Sequence, residues 1–265
     1  MNYYGKTDYH IHSEWSPDSR MPIQEALEFC QEQEINDIAF TEHLDIGIQH
    51  DKHAYEKLSQ YSTVLKEAKS HYPTMNILTG IEAGVNTANL ESTEAYLDSS
   101  AYEFIIFSIH ASKGIPFCSQ RAYHKCGHQE LLRLYFNEML YTVTHGKHYH
   151  ALGHMDYILR YQPYSLEEFL GYETEIRQIL EQLIHHQAAL EINSKGFQSL
   201  NRPHPPIEIL KWYQAMGGTL LVIGGDAHKS SQIGENFQDS IEWLKQAGFS
   251  HYQVIREGNW QKVQL

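Results

Sequence analysis

Short apolar runs alternate with amphipathic stretches from one end of the chain to the other. Strand-like runs fall near Asp8–His12, Ile35–Thr41, Ile77–Ala83, Phe104–His110, His150–His154, Ala188–Asn193 and Thr219–Gly224, with a weaker one near Tyr252–Ile255. Between them the period shifts to that of a helix. Ile23, Ala26, Leu27 and Cys30 fall at i, i+3, i+4 and i+7, which predicts a helix beginning near Pro22. Ser165-Leu166-Glu167-Glu168 has the spelling of a capping box, and Ile176, Ile179, Leu180 and Leu183 continue an apolar stripe behind it. Strand–helix alternation predicts βαβ units on a parallel sheet. Seven or so such units in 265 residues suggest a barrel more than an open sheet. With no Gly/Ser-rich linker, low-complexity block or internal repeat, residues 1–265 are expected to form a single α/β domain.

Composition narrows the class. An apolar fraction of 42% with 12% aromatics is enough for a sizeable core and excludes a disordered or fibrous chain. Twenty Lys and Arg against 33 Asp and Glu leave a formal charge of −13. That charge repels nucleic-acid backbone and anionic lipid, so neither is an expected partner. Three cysteines without CxxC spacing give no disulfide framework, the start does not read as a signal peptide, and no apolar run is long enough to span a bilayer. A cytoplasmic location is expected. The unusual number is histidine, at 18 of 265 residues.

The positions of these histidines matter more than their number. His10 and His12 close the first run, Thr41-Glu42-His43 the second, Gly80-Ile81-Glu82 the third and Ser108-Ile109-His110 the fourth. Gly153-His154-Met155-Asp156 closes the fifth, and Gly224-Gly225-Asp226-Ala227-His228 the seventh. Residues two apart on a strand share a side, so His10 and His12 can meet one ion. In a parallel barrel the C-terminal strand ends share one rim, where active sites are built. Each piece alone has a structural reading: a satisfied core histidine, an ion-paired glutamate, a helix-capping aspartate. Together they would crowd charged groups onto one rim, which is rarely tolerated without a compensating ion. Imidazole with carboxylate and no thiolate suits zinc, iron or manganese. More than four ligands implies more than one ion, with a carboxylate such as Glu82 bridging. Clustered divalent ions serve phosphatases, nucleases and aminopeptidases alike, so this chemistry reads as a metal-dependent hydrolase with its substrate open.

In their order and spacing from residue 8 to 228, Asp8-Tyr9-His10-Ile11-His12-Ser13, Thr41-Glu42-His43, Gly80-Ile81-Glu82, Ser108-Ile109-His110, Gly153-His154 and Gly225-Asp226-Ala227-His228 resemble the motifs of the PHP (polymerase and histidinol phosphatase) family. The resemblance implies a distorted (β/α)7 TIM-like barrel with three divalent metal ions (Zn, Fe or Mn) at the strand C-termini. It implies a first ion on His10, His12, Glu82 and Asp226, and a second on Glu82, His110 and His154. A third would take His43, His228 and Asp18, the last standing where some members carry histidine. A bridging hydroxide would attack phosphorus, with Asp226 and His228 as the catalytic candidates. Within the family, the length resembles the free-standing members that hydrolyse L-histidinol phosphate in histidine biosynthesis; polymerase-attached members are much longer.

For the substrate, Arg160 and Arg202 are the candidates to grip phosphate, because guanidinium binds its oxygens bidentately. Lys195 and Lys229 are weaker candidates. Glu14, Glu42, Asp45 and Asp156 are available for a cationic imidazole or amine, and His204 lies near Arg202. The remaining histidines, among them His50, His53, His71, His124, His128, His185, His186 and His251, are expected at the surface. The tract His145-Gly146-Lys147-His148-Tyr149-His150 precedes a strand and therefore points to the wrong end of the barrel. Alternatives to a phosphatase of small metabolites are a PHP phosphodiesterase or exonuclease, a phosphotyrosine phosphatase, or a non-catalytic metal-bound module.

Overall fold

Each of the seven strong apolar runs forms a strand in the computed structural model, which describes residues 5–47 and 54–265. The strands of the main sheet are β1 (Lys6–Ile11), β2 (Ile35–Leu44), β3 (Asn76–Gly84) and β4 (Phe104–Ser108). After a small hairpin of β5 (Ala111–Ser112) and β6 (Ile115–Pro116) come β7 (Ala151–Leu152), β8 (Ala189–Asn193) and β9 (Leu221–Gly224). They pair in parallel in the order β1-β2-β3-β4-β7-β8-β9. The ring closes through the parallel bridge Ile11–Ala227, where His12 N donates to Ala227 O at 2.8 Å and Ala227 N to His10 O at 3.1 Å. This is the expected distorted TIM-like barrel. Strands such as β4, Phe-Ile-Ile-Phe-Ser, are buried along their whole length, as parallel strands covered by helices must be.

The covering helices are α1 (Ile23–Glu32), α2 (Ala54–Lys69), α3 (Leu90–Asp98), α4 (Gln120–Cys126) and α5 (His128–His145). They continue with α6 (Leu166–Leu170), α7 (Glu173–His186), α8 (Gly196–Leu200), α9 (Ile207–Ala215) and α10 (Phe237–Gln246). α1 begins directly after Pro22 and buries Ile23, Ala26, Leu27 and Cys30, the predicted face. The capping box on Ser165 and Glu168 is also present. It caps only the short α6, however, because the backbone leaves helical geometry at Tyr172, next to Gly171, a poor helix former; the apolar stripe belongs to the separate α7.

The weak eighth run differs in kind. As β10 (His251–Arg256) it pairs antiparallel with β11 (Asn259–Gln264) through the two-residue turn Glu257-Gly258, both at positive φ. This hairpin docks under the N-terminal ends of the barrel strands. Ile255 N donates to Tyr9 Oη at 2.7 Å, and Asn76 Nδ2 donates to Ile255 O at 2.8 Å. No helix among the described residues is long and apolar enough to cross a membrane. His50 and His53 lie outside the described residues.

Candidate metal centre and adjoining pocket

The strand ends bring the histidines together. The register of β1 against β2 slips between Asp8 and Ile11, where three steps on β1 face two on β2, a bulge centred on Tyr9 and His10. Tyr9 packs edge-on against Phe104 and meets Ile255 of the lower hairpin, while its neighbour His10 joins the rim cluster. His12 follows β1 directly, His43 and Glu82 lie on β2 and β3, and His110 and His154 each stand two residues beyond a strand. Asp226 sits in the turn after β9 at a φ of 47°, a left-handed conformation that aspartate adopts more readily than most residues.

Glu82 is the hub. Its two oxygens lie 3.5 Å from His10 Nε2, 3.6 Å from His12 Nε2, 2.8 Å from His43 Nδ1, 3.2 Å from His110 Nε2 and 2.8 Å from His154 Nε2. Asp226 Oδ1 stands 3.5 Å from both His12 Nε2 and His228 Nδ1. Asp18, with its side chain 54% exposed, reaches between His43 Nε2 and His228 Nε2 at 3.3 and 3.1 Å. Four overlapping triads have donor atoms close enough to hold a cation: His12 with His43 and His228, His10 with Glu82 and His154, His10 with His12 and Asp226, and His43 with Glu82 and His110.

The electrostatics fit such a use. Burial alone would raise the Glu82 carboxyl, yet the surrounding His110, His10 and His43 hold it well below the usual range. Burial likewise opposes charge on His10, but Glu191 and Glu82 raise it well above an ordinary imidazole, and Glu82 with Asp45 holds His110 at about 10. His12 moves the other way, pushed down by burial and by the neighbouring His43 and His228. His10 Nε2, His12 Nε2 and His154 Nδ1 are buried and make no hydrogen bond within the chain. Buried polar atoms are nearly always satisfied, so three unpartnered nitrogens in one cluster mark a place for a ligand. The donor set of imidazole and carboxylate fits divalent transition ions.

A cavity of about 500 Å³ opens above the cluster. Asp18, His43, Asp45, Glu82, His110, His154, Asp226 and His228 line it, together with Arg160 and Lys195. Arg160 Nη1 lies 3.3 Å from Asp226 Oδ2, and Lys195 Nζ donates to Asp226 O at 3.0 Å. Tyr157 and Tyr161 form an aromatic wall, and Pro116 and Cys118 reach in from the segment after β4. The other substrate candidates lie elsewhere. Arg202 is held by Asp156 at 2.7 Å, which also takes His204 Nδ1 at 2.7 Å; none of the three lines the cavity. Glu42 is buried with its oxygens taken by Ser13 N, Ser13 Oγ and Ser16 Oγ, because on β2 it alternates with His43. Glu14 and Lys229 are exposed and outside the lining. The tract before β7 serves structure: His148 pairs with Asp98 at 2.7 Å, and His150 Nδ1 accepts from Ile105 N at 3.0 Å.

Two residues beneath the cluster were given no site role by the sequence: Glu191, and Asp8, which opens the first motif. Glu191 on β8 accepts from His10 Nδ1 at 2.6 Å. Asp8 accepts from Gly225 N at 2.7 Å and Gly234 N at 2.9 Å, tying β1 to the turn that carries Asp226; burial pushes its carboxyl up to about 6. The signal available for Glu191 was a carboxylate in the middle of Ala-Leu-Glu-Ile-Asn, an otherwise uncharged strand.

Comparison with known proteins agrees with this geometry. The probable histidinol-phosphatase of Clostridium acetobutylicum is 27% identical over 237 residues, covering 89% of this chain and 91% of the relative. The histidinol-phosphatase of Lactococcus lactis is 27% identical over 254 residues, covering 92% of both. The crystal structure of the histidinol phosphate phosphatase from that organism, complexed with zinc, L-histidinol and phosphate, superposes with a TM-score of 0.83 at 23% identity, over 97% of this chain and 99% of the other, which supports the fold. The family model for the PHP domain matches residues 8–195, and the chain belongs to the PHP family.

Proposed function

We propose that this chain is a metal-dependent phosphomonoesterase that hydrolyses L-histidinol phosphate to L-histidinol and phosphate, in histidine biosynthesis. The observation that carries the proposal is the buried, partly unpartnered donor set opening onto a cavity that also holds Arg160 and Lys195. The names of the relatives supply the substrate. Under this reading three ions are held: one by His10, His12, Glu82 and Asp226, one by Glu82, His110 and His154, and one by His43, His228 and Asp18. The four cation-sized triads draw on all these residues except Asp18, which itself approaches His43 and His228. Bound divalent ions neutralise phosphate charge and make water nucleophilic near neutral pH.

The chain's own groups do the rest. Arg160 can exchange its contact with Asp226 for phosphate oxygens, and Lys195 adds a second cation on the same side. Burial raises the Asp226 carboxyl, but the histidines around it hold it well below the ordinary range, so it is available as an anionic ion ligand. His228 has its Nδ1 fixed by the carbonyl of Asp226 at 2.9 Å, leaving Nε2 towards Asp18 and the cavity. Of the acidic candidates for the substrate's imidazole or amine, Asp45 is the one that lines the cavity. Three divalent ions over Asp18, Glu82 and Asp226 make a positive pocket in a chain of charge −13, which suits a small phosphate ester and not a long polyanion. The chain acts as one domain under this reading, with the β10–β11 hairpin closing the barrel floor.

Phosphate release tests the proposal. Histidinol phosphate should be hydrolysed with a kcat/KM far above that for p-nitrophenyl phosphate. Equal or better rates on phosphotyrosyl peptides or on nucleotide and DNA ends would reject the assignment.

A further inference from the structure

Glu191 stands beneath the cluster, 1% exposed, on β8 between β7 and β9. Its Oε1 lies 2.6 Å from His10 Nδ1. Its Oε2 accepts from His154 N at 2.7 Å and from Asn193 Nδ2 at 3.1 Å. One carboxylate therefore touches the side chain of one candidate ligand, on β1, and the backbone of another, just beyond β7. His10 and His154 are also two members of a single cation-sized triad, completed by Glu82.

The surroundings are shaped to admit this carboxylate. A Cβ added to Gly224, at the end of β9, would come within 2.5 Å of Glu191 Oε1 and 2.6 Å of His10 Cβ. One added to Gly153, just after β7, would clash with Ser108 Oγ at 2.7 Å and Ile106 Cγ2 at 2.8 Å, while Glu191 Oε2 would be in ordinary contact at 3.4 Å. At Gly224 nothing can move aside without displacing either Glu191 or His10. The absence of a side chain at Gly224 leaves the space that Glu191 fills.

An imidazole that hydrogen-bonds a carboxylate through Nδ1–H presents a bare Nε2, and such outer partners orient a ligand and raise its basicity. His10 Nε2 makes no hydrogen bond within the chain and lies 3.5 Å from Glu82 Oε1. We infer that Glu191 is a positioning residue for the divalent-ion site: it fixes His10 as the Nδ1–H tautomer and anchors the backbone of His154, so that both imidazoles face Glu82. The inference rests on the metal-dependent reading above and adds a residue that touches no ion.

Metal binding, measured apart from turnover, tests it. Glu191→Gln keeps the size and can still accept from His10, but its amide opposes the donors of His154 and Asn193. Metal-stripped wild type and variant are titrated with Mn²⁺ and Zn²⁺, and bound metal is counted per chain. The expected result is that one ion's affinity falls about 10- to 100-fold, with the circular dichroism of the metal-free protein unchanged. Equal affinity and equal stoichiometry would overturn the inference while leaving the phosphatase reading intact. A wild type that takes up no divalent ion overturns both. If the variant does not fold, the histidine nitrogens of zinc-loaded wild type, read by long-range proton–nitrogen correlation, decide: a proton on His10 Nδ1 supports the role, and a proton on Nε2 overturns it.

Discussion

The two ends of the barrel hold similar residues on opposite terms. At the floor, the carboxylates of Asp37 and Glu103 and the amide of Gln253 meet complements. Asp37 receives Asn76 Nδ2 at 2.9 Å and both Nε and Nη2 of Arg256 at 3.1 and 2.6 Å, while Glu103 receives Thr79 N at 2.8 Å and the Lys69 ammonium. Gln253 takes Leu221 N and gives to Thr219 O. At the rim, six histidines crowd two buried carboxylates and several nitrogens find nothing to bond. Pairing at the floor closes the fold. Incomplete pairing at the rim is a cost that folding alone would remove, and it persists where a ligand completes the set.

The largest expected effect breaks the rim. Glu82→Gln keeps the shape but removes the shared charge, and kcat/KM should fall by about a thousandfold or more, since ions at such a site supply several kcal/mol of transition-state stabilisation. Phosphate release reads this, with a thermal melt to show the fold intact; a fall under tenfold would detach Glu82 from the chemistry. Next is proton release. Burial would lower His110, but Glu82 and Asp45 hold it at about 10, so the free imidazole carries a proton near neutrality that a divalent ion must expel. Titration heats should therefore vary with the ionisation enthalpy of the buffer, and uptake should weaken as pH falls. Heats independent of buffer would contradict proton release from His110 on metal binding.

The floor should respond in the opposite sense. Asp37→Ala removes the acceptor for Arg256 and Asn76, and should cost about 2 kcal/mol of stability in urea unfolding, with kcat unchanged. A lowered kcat at full stability would blur the division between the ends. The smallest effect is at Glu103. Burial raises this carboxyl, but the hydrogen bonds from Lys69 and Thr79 outweigh it and leave it lowered from 4.5. A carboxyl lowered on folding stabilises above its unfolded value and loses that contribution as pH falls through the folded one. The melting-temperature gap between wild type and Glu103→Gln should be full above pH 4.5 and shrink below it. Being half exposed, the pair is worth under about 1 kcal/mol.

Much of this was legible along the chain because burial on both faces makes parallel strands read as continuous apolar runs. His43, Glu82 and His110 could be named because each ends such a run. α6 and α7 ran together in the pattern, since nothing but Gly171 marks the break. Glu42 shows the limit at the site. It borders His43 in sequence, yet strand alternation turns it onto Ser13 and Ser16, away from the cavity. Arg202 was legible as a cation near the rim, but its engagement by Asp156 depends on how the segments after β7 and β8 meet.

The pattern of apolar runs ending in histidine or carboxylate thus determined the fold class and the rim as the place for chemistry, because burial and strand period are written locally. Tertiary structure alone decided which atoms meet. The bulge at His10, the closure at Ala227 and the seat of Glu191 beneath His10 join residues up to 217 positions apart, as Asp8 and Gly225 do. Those contacts depend on register and on strand neighbours, and no local period encodes either.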